Sequence, residues 1–446
     1  MNTGLAPAAR DAYTAGFAQA LARHSGPSWL VDTRRTAFSD FVELGWPTSK
    51  QEDWRFTDVS PITQLALWSS PTAQTRMAEA SFDQGLLNLG KGQGHRLVFV
   101  DGQYQAEYSP WQALPAHLVV QPLSTALEGD SLAVHQVFGE HLGRRNGFVA
   151  LNTAFMNDGA FIRIPDNLTV ERPIYLVFLS TAQEAARFPR TAVWAGANSQ
   201  ATLVEIHLDA EGNASLSNAA TEIVLEPGAR LHYHNIQKAS ATGFHVGHVA
   251  VTQKAGSLFS SHSLSLDGRI VRNDLEVRLI EEGCTCILDG LYLATGSSHI
   301  DNHTTIDHRM PRSTSREVYK GLVDGRGHAV FNGRIVVRAG AQQTDARQTN
   351  KNLVLADGAM VNTKPHLEIL ANDVKCAHGA SIGRLDEDAR FYLRSRGIGQ
   401  KEASRLLIHA FLQEGLDRVS DSGLRQALEE VLAGKVDSLA TAGGPT

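Results

Sequence analysis

The chain has 446 residues, 42% of them hydrophobic and 20% charged, with a formal net charge of −6. That is a globular composition, too long for one ordinary core, so it calls for several domains or one elongated architecture. There is no basic patch to read a phosphate backbone and no run of about 18 apolar residues, so neither nucleic acid nor a membrane is an expected partner. Three cysteines argue against a disulfide framework. They fit a reducing cytoplasm, the expected location, and the first residues lack the basic and apolar regions of a signal peptide.

Ala and Leu at helical spacing predict a helix over residues 5–24, and Phe38, Phe41, Val42 and Leu44 predict a second. A loop rich in tryptophan follows, "GWPTSKQEDWRFTDVS", and then the joint "GKGQG" at 90–94, which lacks the spacing of a phosphate loop. Residues 1–95 therefore read as an N-terminal helical domain.

From 96 to 385 the period changes to two, with few helices expected. Thr202, Val204, Ile206 and Leu208 share one strand face; Leu275, Val277 and Leu279 share another, as do Leu291 and Leu293. A glycine followed by a small residue recurs at Gly196, Gly228, Gly256, Gly283, Gly340, Gly358 and Gly379, at irregular intervals, and each is read as a corner between strands. A sandwich is usually about 100 residues, and this stretch is far longer. A solenoid lengthens by adding coils, so the favoured core is a β-helix capped by helical segments at both ends.

After Leu385 the period returns to 3.6, and 386–446 reads as a C-terminal helical domain. An acidic start at Asp386–Asp388 and Gly397 bound its first helix. Ala403, Leu406, Leu407, Ala410 and Phe411 form one stripe, and Leu424, Leu428, Val431 and Leu432 another. These stripes either pad the solenoid end or form a docking surface.

Cys284 and Cys286 are two apart, as are Cys376 and His378, so on strands each pair shares a face. Closed thiolate and iron–sulfur sites usually need four ligands, more than three cysteines supply. Cys376 shares its parity with Val374, Ala380 and Ile382, which turns it toward a core; Leu288 does the same for Cys284 and Cys286. His232 and His234 share a face, and His303, Asp307 and His308 are close in sequence, but neither group completes a ligand set, so they read as exposed strand histidines. No nucleophile elbow or other catalytic constellation is present, so the chain is not read as an enzyme. Two alternatives share the architecture: a secreted β-solenoid acting on carbohydrate, and a stand-alone histidine-rich metal-binding protein.

Longer motifs carry a resemblance. "HTTIDHRMPRSTSREVYKGLVDGRGHAVFNGRIVV", "AGAQQTDARQTNKNLVL", "TKPHLEILANDVKCAHGASIGRLDEDARFYLRSRGI" and "EASRLLIHAF" resemble the SufB/SufD family, scaffold subunits of the SUF machinery for iron–sulfur cluster assembly. "GWPTSKQEDWRFTD" is similar to the family's early motif. The length, the N-terminal helical segment and the scarcity of cysteine resemble the SufD branch. The resemblance implies a right-handed parallel β-helix core between helical domains. It implies pairing with SufB through the β-helix, or with a second copy in isolation, and docking of the SufC ATPase on the C-terminal helices at Tyr392, Arg394, Arg396, Leu407 and Phe411. It also implies a transient cluster shared with SufB, held at His378 with Cys376 beside it, and a reduced flavin in the complex to which no residue here is assigned.

Overall fold

Alternating apolar residues between 95 and 383 form, among the described residues, twenty strands, most about ten residues long, in two ten-stranded sheets. The computed structural model describes residues 7–23, 26–65, 81–92, 94–109, 114–129, 131–138, 146–182 and 185–442. From the strand Arg190–Ala195 onward successive strands alternate between the sheets, so each coil of the chain adds one strand to each sheet. The first sheet ends on the strands Thr314–Val323, Thr344–Val354 and Val374–Gly383; the second on His299–His308, His328–Val337 and Met360–Ile369. Pairing is parallel and in phase, as in the ladder Ile270, His299, His328, Met360. A side chain therefore stacks about 4.8 Å from its counterpart one coil earlier. This is a parallel β-solenoid, as the pattern predicts.

One corner shows how the coils are joined. Gly228, Gly256 and Gly283 have φ of 73°, 64° and 72°, where a side chain would be strained. Gly228 N donates to Ala255 O and Gly256 N to Glu282 O, so each corner hydrogen-bonds to the next. These three glycines mark single coils. Gly379 does not mark a corner, because it lies inside the strand Val374–Gly383.

The inward face of both sheets forms the main core, with Leu97, Leu176, Val277, Tyr292 and Phe331 in it. Leu275, Val277 and Leu279 point there, whereas Val204, Ile206, Leu208, Leu291 and Leu293 point out from the first sheet into a second core.

The helices are α1 Pro7–Arg23, α2 Ser28–Leu44, α3 Ser60–Thr63, α4 Gln84–Leu87, α5 Leu123–Gly129, α6 Ser131–Val137, α7 Gly147–Phe155, α8 Glu387–Ser395, α9 Gln400–Leu416 and α10 Ser422–Ala442. Three of them, α5 to α7, interrupt the stretch expected to hold few helices. Helix α7, "GFVALNTAF", is buried on every side, so its sequence carries no polar stripe to betray its period. It is set by Asn146, whose side chain accepts from Phe148 N and Val149 N.

Helices α9 and α10 do not cap the solenoid end. They run back along the outer face of the first sheet and meet α4, with Ile408, Leu412, Leu416, Leu424, Leu428 and Leu432 packed into the second core. The α10 stripe is the expected one. The α9 stripe is rotated: Leu406 and Ala410 are exposed, and Ile408 and Leu412 are buried in their place. Both registers of α9 are apolar, and the rows Leu264–Leu291 and Leu266–Leu293 of the sheet below select between them.

Candidate functional site

The strand Val374–Gly383 is the outer edge of the first sheet, and Met360–Ile369 is that of the second. Among the described residues nothing continues either ladder, so both edges present backbone N–H and C=O groups without a strand partner. Met360, Ile369, Leu370 and Ile382 are exposed apolar side chains around this end.

Cys376 and His378 lie on that edge strand, in register with Ala346 and Gln348. Cys376 packs partly against the main core, as alternation predicts, and burial pushes its thiol up. His378 has the same parity but is exposed, as are Ala380 and Ile382, because no further coil covers the mouth of the solenoid. The two candidates thus differ: one is a half-buried neutral thiol and the other an accessible imidazole. Together they offer at most two donors.

Behind them the ladders run into the interior. Cys376 stacks on Ala346, Ser315 and then Cys286; His378 stacks on Gln348, Glu317 and Leu288. Gln348 Nε2 donates to Glu317 Oε2 at 2.6 Å, and burial pushes the Glu317 carboxyl up to about 7 against that bond. Cys286 stands three rungs from Cys376, roughly 14 Å, too far to share a metal. Cys284 and Cys286 are buried, and burial pushes both thiols up, so they act as core residues.

The histidines are not the exposed residues expected from the sequence. His308 points inward and shares a 2.9 Å hydrogen bond with Ser315 Oγ, while His303 and Asp307 point outward from the second sheet. Strand parity separates them. His303 Nε2 lies 3.0 Å from Asp301 Oδ1. His234 and His262 are buried on the outer face of the first sheet, and His262 Nε2 faces Gly415 O of α9 at 3.4 Å. Among the described residues no three His, Cys, Asp or Glu side chains are grouped to hold a metal ion.

The early loop clamps onto the second sheet. Arg272, 2% exposed, bonds Asp274 and Asp301, donates to Asp53 O at 2.7 Å and lies 3.8 Å from the Trp54 ring centre. Burial would raise Asp274, but Arg272 and His248 outweigh it and hold that carboxyl well below the usual range. Trp54 stacks on Phe148 at 5.4 Å on one side and meets Arg272 on the other. It is the one indole or phenyl ring lining the cleft on the outer face of the second sheet, so that cleft has no open aromatic face against which a flavin ring could stack.

The residues suggested for docking divide into two groups. Tyr392, Arg394 and Arg396 are exposed on and just after α8, with Arg396 Nη2 donating to Tyr392 Oη at 3.0 Å. Leu407 and Phe411 are half-buried, and Phe411 is committed within the chain: Lys320 Nζ donates to its carbonyl at 2.6 Å and lies 4.1 Å from its ring centre. Phe391, 72% exposed beside Tyr392, and the open-end residues Met360, Ile369 and Leu370 were missed by the sequence reading. A hydrophobic residue on the polar side of a short acidic-capped helix was the available signal for Phe391.

Comparison with known proteins gives two family models that between them span most of the chain. The "SufBD protein N-terminal region" matches residues 10–176, and the "SUF system FeS cluster assembly, SufBD core domain" matches 178–411. An iron–sulfur cluster assembly SufBD family protein of Synechocystis is 31% identical over 431 residues, covering 93% of each chain. The iron–sulfur cluster assembly protein SufD of Escherichia coli is 30% identical over 400 residues, covering 86% of this chain and 88% of its own. SufD of Bacillus subtilis is 25% identical over 439 residues, covering 93% of this chain and 95% of its own.

Proposed function

We propose, from the premise that this chain belongs to the SufBD family of iron–sulfur cluster assembly proteins, that it is a SufD-like scaffold subunit with no chemistry of its own. Its open end pairs with the corresponding end of a SufB-like chain. The growing cluster is cargo held at that seam. The observation that carries this reading is the exposed His378 on a ten-residue edge strand, with no group of three metal-ligating side chains among the described residues.

Neutral imidazole is a competent iron ligand, so His378 is the donor from this side. Cys376 is half-buried and its thiol is pushed up, which makes it a wall of the site before a ligand. A SufB-like chain would supply the remaining donors and cover Leu370 and Ile382. Without that chain, a second copy would cover the same end. The cytoplasm remains the expected compartment for this work.

The SufC-like ATPase docks on α8, where Phe391, Tyr392, Arg394 and Arg396 form an exposed aromatic and basic face. Only Arg384, Leu385 and Asp386 separate α8 from the strand that carries His378. The Asp386 side chain caps the helix by accepting from Asp388 N and Ala389 N, so the link is short and ordered. Movement of α8 by the ATPase would therefore reach the seam with little slack, biasing it between closed and open states.

The test is reconstitution with SufB-like and SufC-like partners. The three chains are expected to co-purify, and His378→Ala is expected to leave the complex intact while lowering its iron and acid-labile sulfide. Full cluster content in that variant would remove His378 as a ligand. A chain that recovers neither partner would refute the scaffold reading.

A further inference from the structure

A second feature, independent of the open end, lies on the outer face of the second sheet. It is a cleft of about 330 Å³, the size of a small-molecule site. Its floor is formed by the strands Ile270–Leu279, His299–His308 and His328–Val337, and its upper wall by the Glu52–Trp54 turn and Asn146.

The charges of the floor are distributed unevenly. At the upper end Arg272 is enclosed by Asp274 and Asp301. At the lower end Arg309 and Arg338, each one residue past the end of adjacent strands, share a single carboxylate. Arg309 Nε donates to Asp307 Oδ2 at 2.8 Å, and Arg338 Nε donates to Oδ1 at 2.8 Å. Burial would raise Asp307, but the two guanidiniums outweigh it and hold the carboxyl low, so it stays charged. Two cations against one anion leave a surplus positive charge at this pair alone, because Asp53, Asp274 and Glu276 elsewhere in the lining offset Arg272 and Arg334.

Geometry adds unused donors to that surplus. The Arg309 and Arg338 side chains are 45% and 49% exposed. Each guanidinium carries five N–H donors, and the Asp307 contacts use only a few of them. Thr305 and Asn332 line the floor between this pair and the upper wall, offering a hydroxyl and an amide. Asp307 has two oxygens, and they take the Nε–H groups of both forks and one further N–H of Arg338, which leaves the other N–H groups open. A phosphate monoester has three free oxygens and can engage both forks.

We propose that this cleft binds a small phosphorylated molecule, with its phosphate bridging Arg309 and Arg338 and its polar body lying over Thr305 and Asn332.

The test uses the full chain alone, so it does not depend on the partners proposed above. Ribose 5-phosphate, inorganic phosphate and ribose are titrated calorimetrically at low salt. Both phosphate compounds are expected to bind saturably, and ribose is not. Arg309→Gln leaves Arg338 to hold Asp307, so it is expected to fold and to bind about tenfold more weakly, the loss of one charge-assisted contact. Arg347→Gln, an exposed guanidinium on the other sheet, is expected to bind as the wild type does. Asp307→Asn removes the competing carboxylate and is expected to tighten binding several-fold, which a purely structural role would not produce. Equal binding by Arg309→Gln and wild type, or no saturable binding of either phosphate compound at millimolar concentration, overturns the proposal.

Discussion

The two ends of the solenoid are finished differently. At the N-terminal end each sheet stops on a short antiparallel strand: Gln103–Tyr104 against His95–Val100, and Val119–Pro122 against Gly159–Ile164. Two- and four-residue edges offer little template for another chain, and reversing direction ends the parallel ladder. At the C-terminal end each sheet stops on a full ten-residue parallel strand, ringed by exposed Leu370, Ile369 and Ile382. The helices that could have covered this end lie along the flank instead. One end is finished as a surface of a folded protein, and the other has the character of an interior cut open. Pairing through one end only, as proposed above, would need that asymmetry.

The largest effect is expected from breaking the finished end. Leu97 is fully buried between the sheets next to the antiparallel edge. Leu97→Ala removes apolar contacts that cannot be replaced and leaves a cavity, so it is expected to cost about 2–5 kcal/mol. Urea denaturation of the isolated chain measures this. A cost within experimental scatter would mean that the N-terminal end is not sealed as described.

The interiors of the two ends differ as well. Next to Leu97 the lumen is lined by Phe99, Leu176 and Phe178, with Glu205 and His207 one rung further in; near the open end Glu317, Gln348 and Asn350 share the lumen with Tyr319 and Phe331. Glu317 has a folded pKa of about 7 against an ordinary 4.5. The native state therefore holds its proton longer than the unfolded state does. Stability is expected to fall as pH rises from about 4.5 to 7 and to remain lowered above that range. Glu317→Gln removes this slope, so the variant is expected to match the wild type near pH 4 and to exceed it by up to about 3 kcal/mol at pH 8. Melting temperatures of both chains across that range decide the point, and parallel pH profiles would refute it.

This contrast between ends also explains what the sequence could and could not convey. The strand period and the glycines at 228, 256 and 283 made the solenoid legible, because each coil writes its own corner into the chain. Parity likewise separates His308 from His303 and Asp307, a distinction available from residue numbers alone. By contrast "VKCAHGASIG" alternates as a buried strand does. What exposes His378 is the lack of a following coil, a property of the whole fold with no local signature. Helix α7 hid because burial on all sides erases helical period, and α9 offered two apolar faces whose choice depends on residues more than a hundred positions earlier. The identity of the site came from motif resemblance. Its openness required the structure.

The smallest effect on stability, and the sharpest test of the contrast, belongs to the open end. Leu370 and Ile382 are 55% and 53% exposed, so in the isolated chain their burial contributes little. Leu370→Glu combined with Ile382→Glu is expected to change the unfolding free energy by no more than about 0.5 kcal/mol per site. The same pair of charges would be desolvated in an end-to-end seam without partners, which is costly. Binding to a SufB-like chain is therefore expected to be lost while the melting curve of the free chain barely moves. The converse result, a destabilised chain that still pairs, would mean that these strands belong to this protein's own core and that the seam lies elsewhere. Leu97 and Leu370 are the same residue type on the same solenoid. Only the finishing of the two ends commits Leu97 to the core and leaves Leu370 exposed for the pairing proposed above.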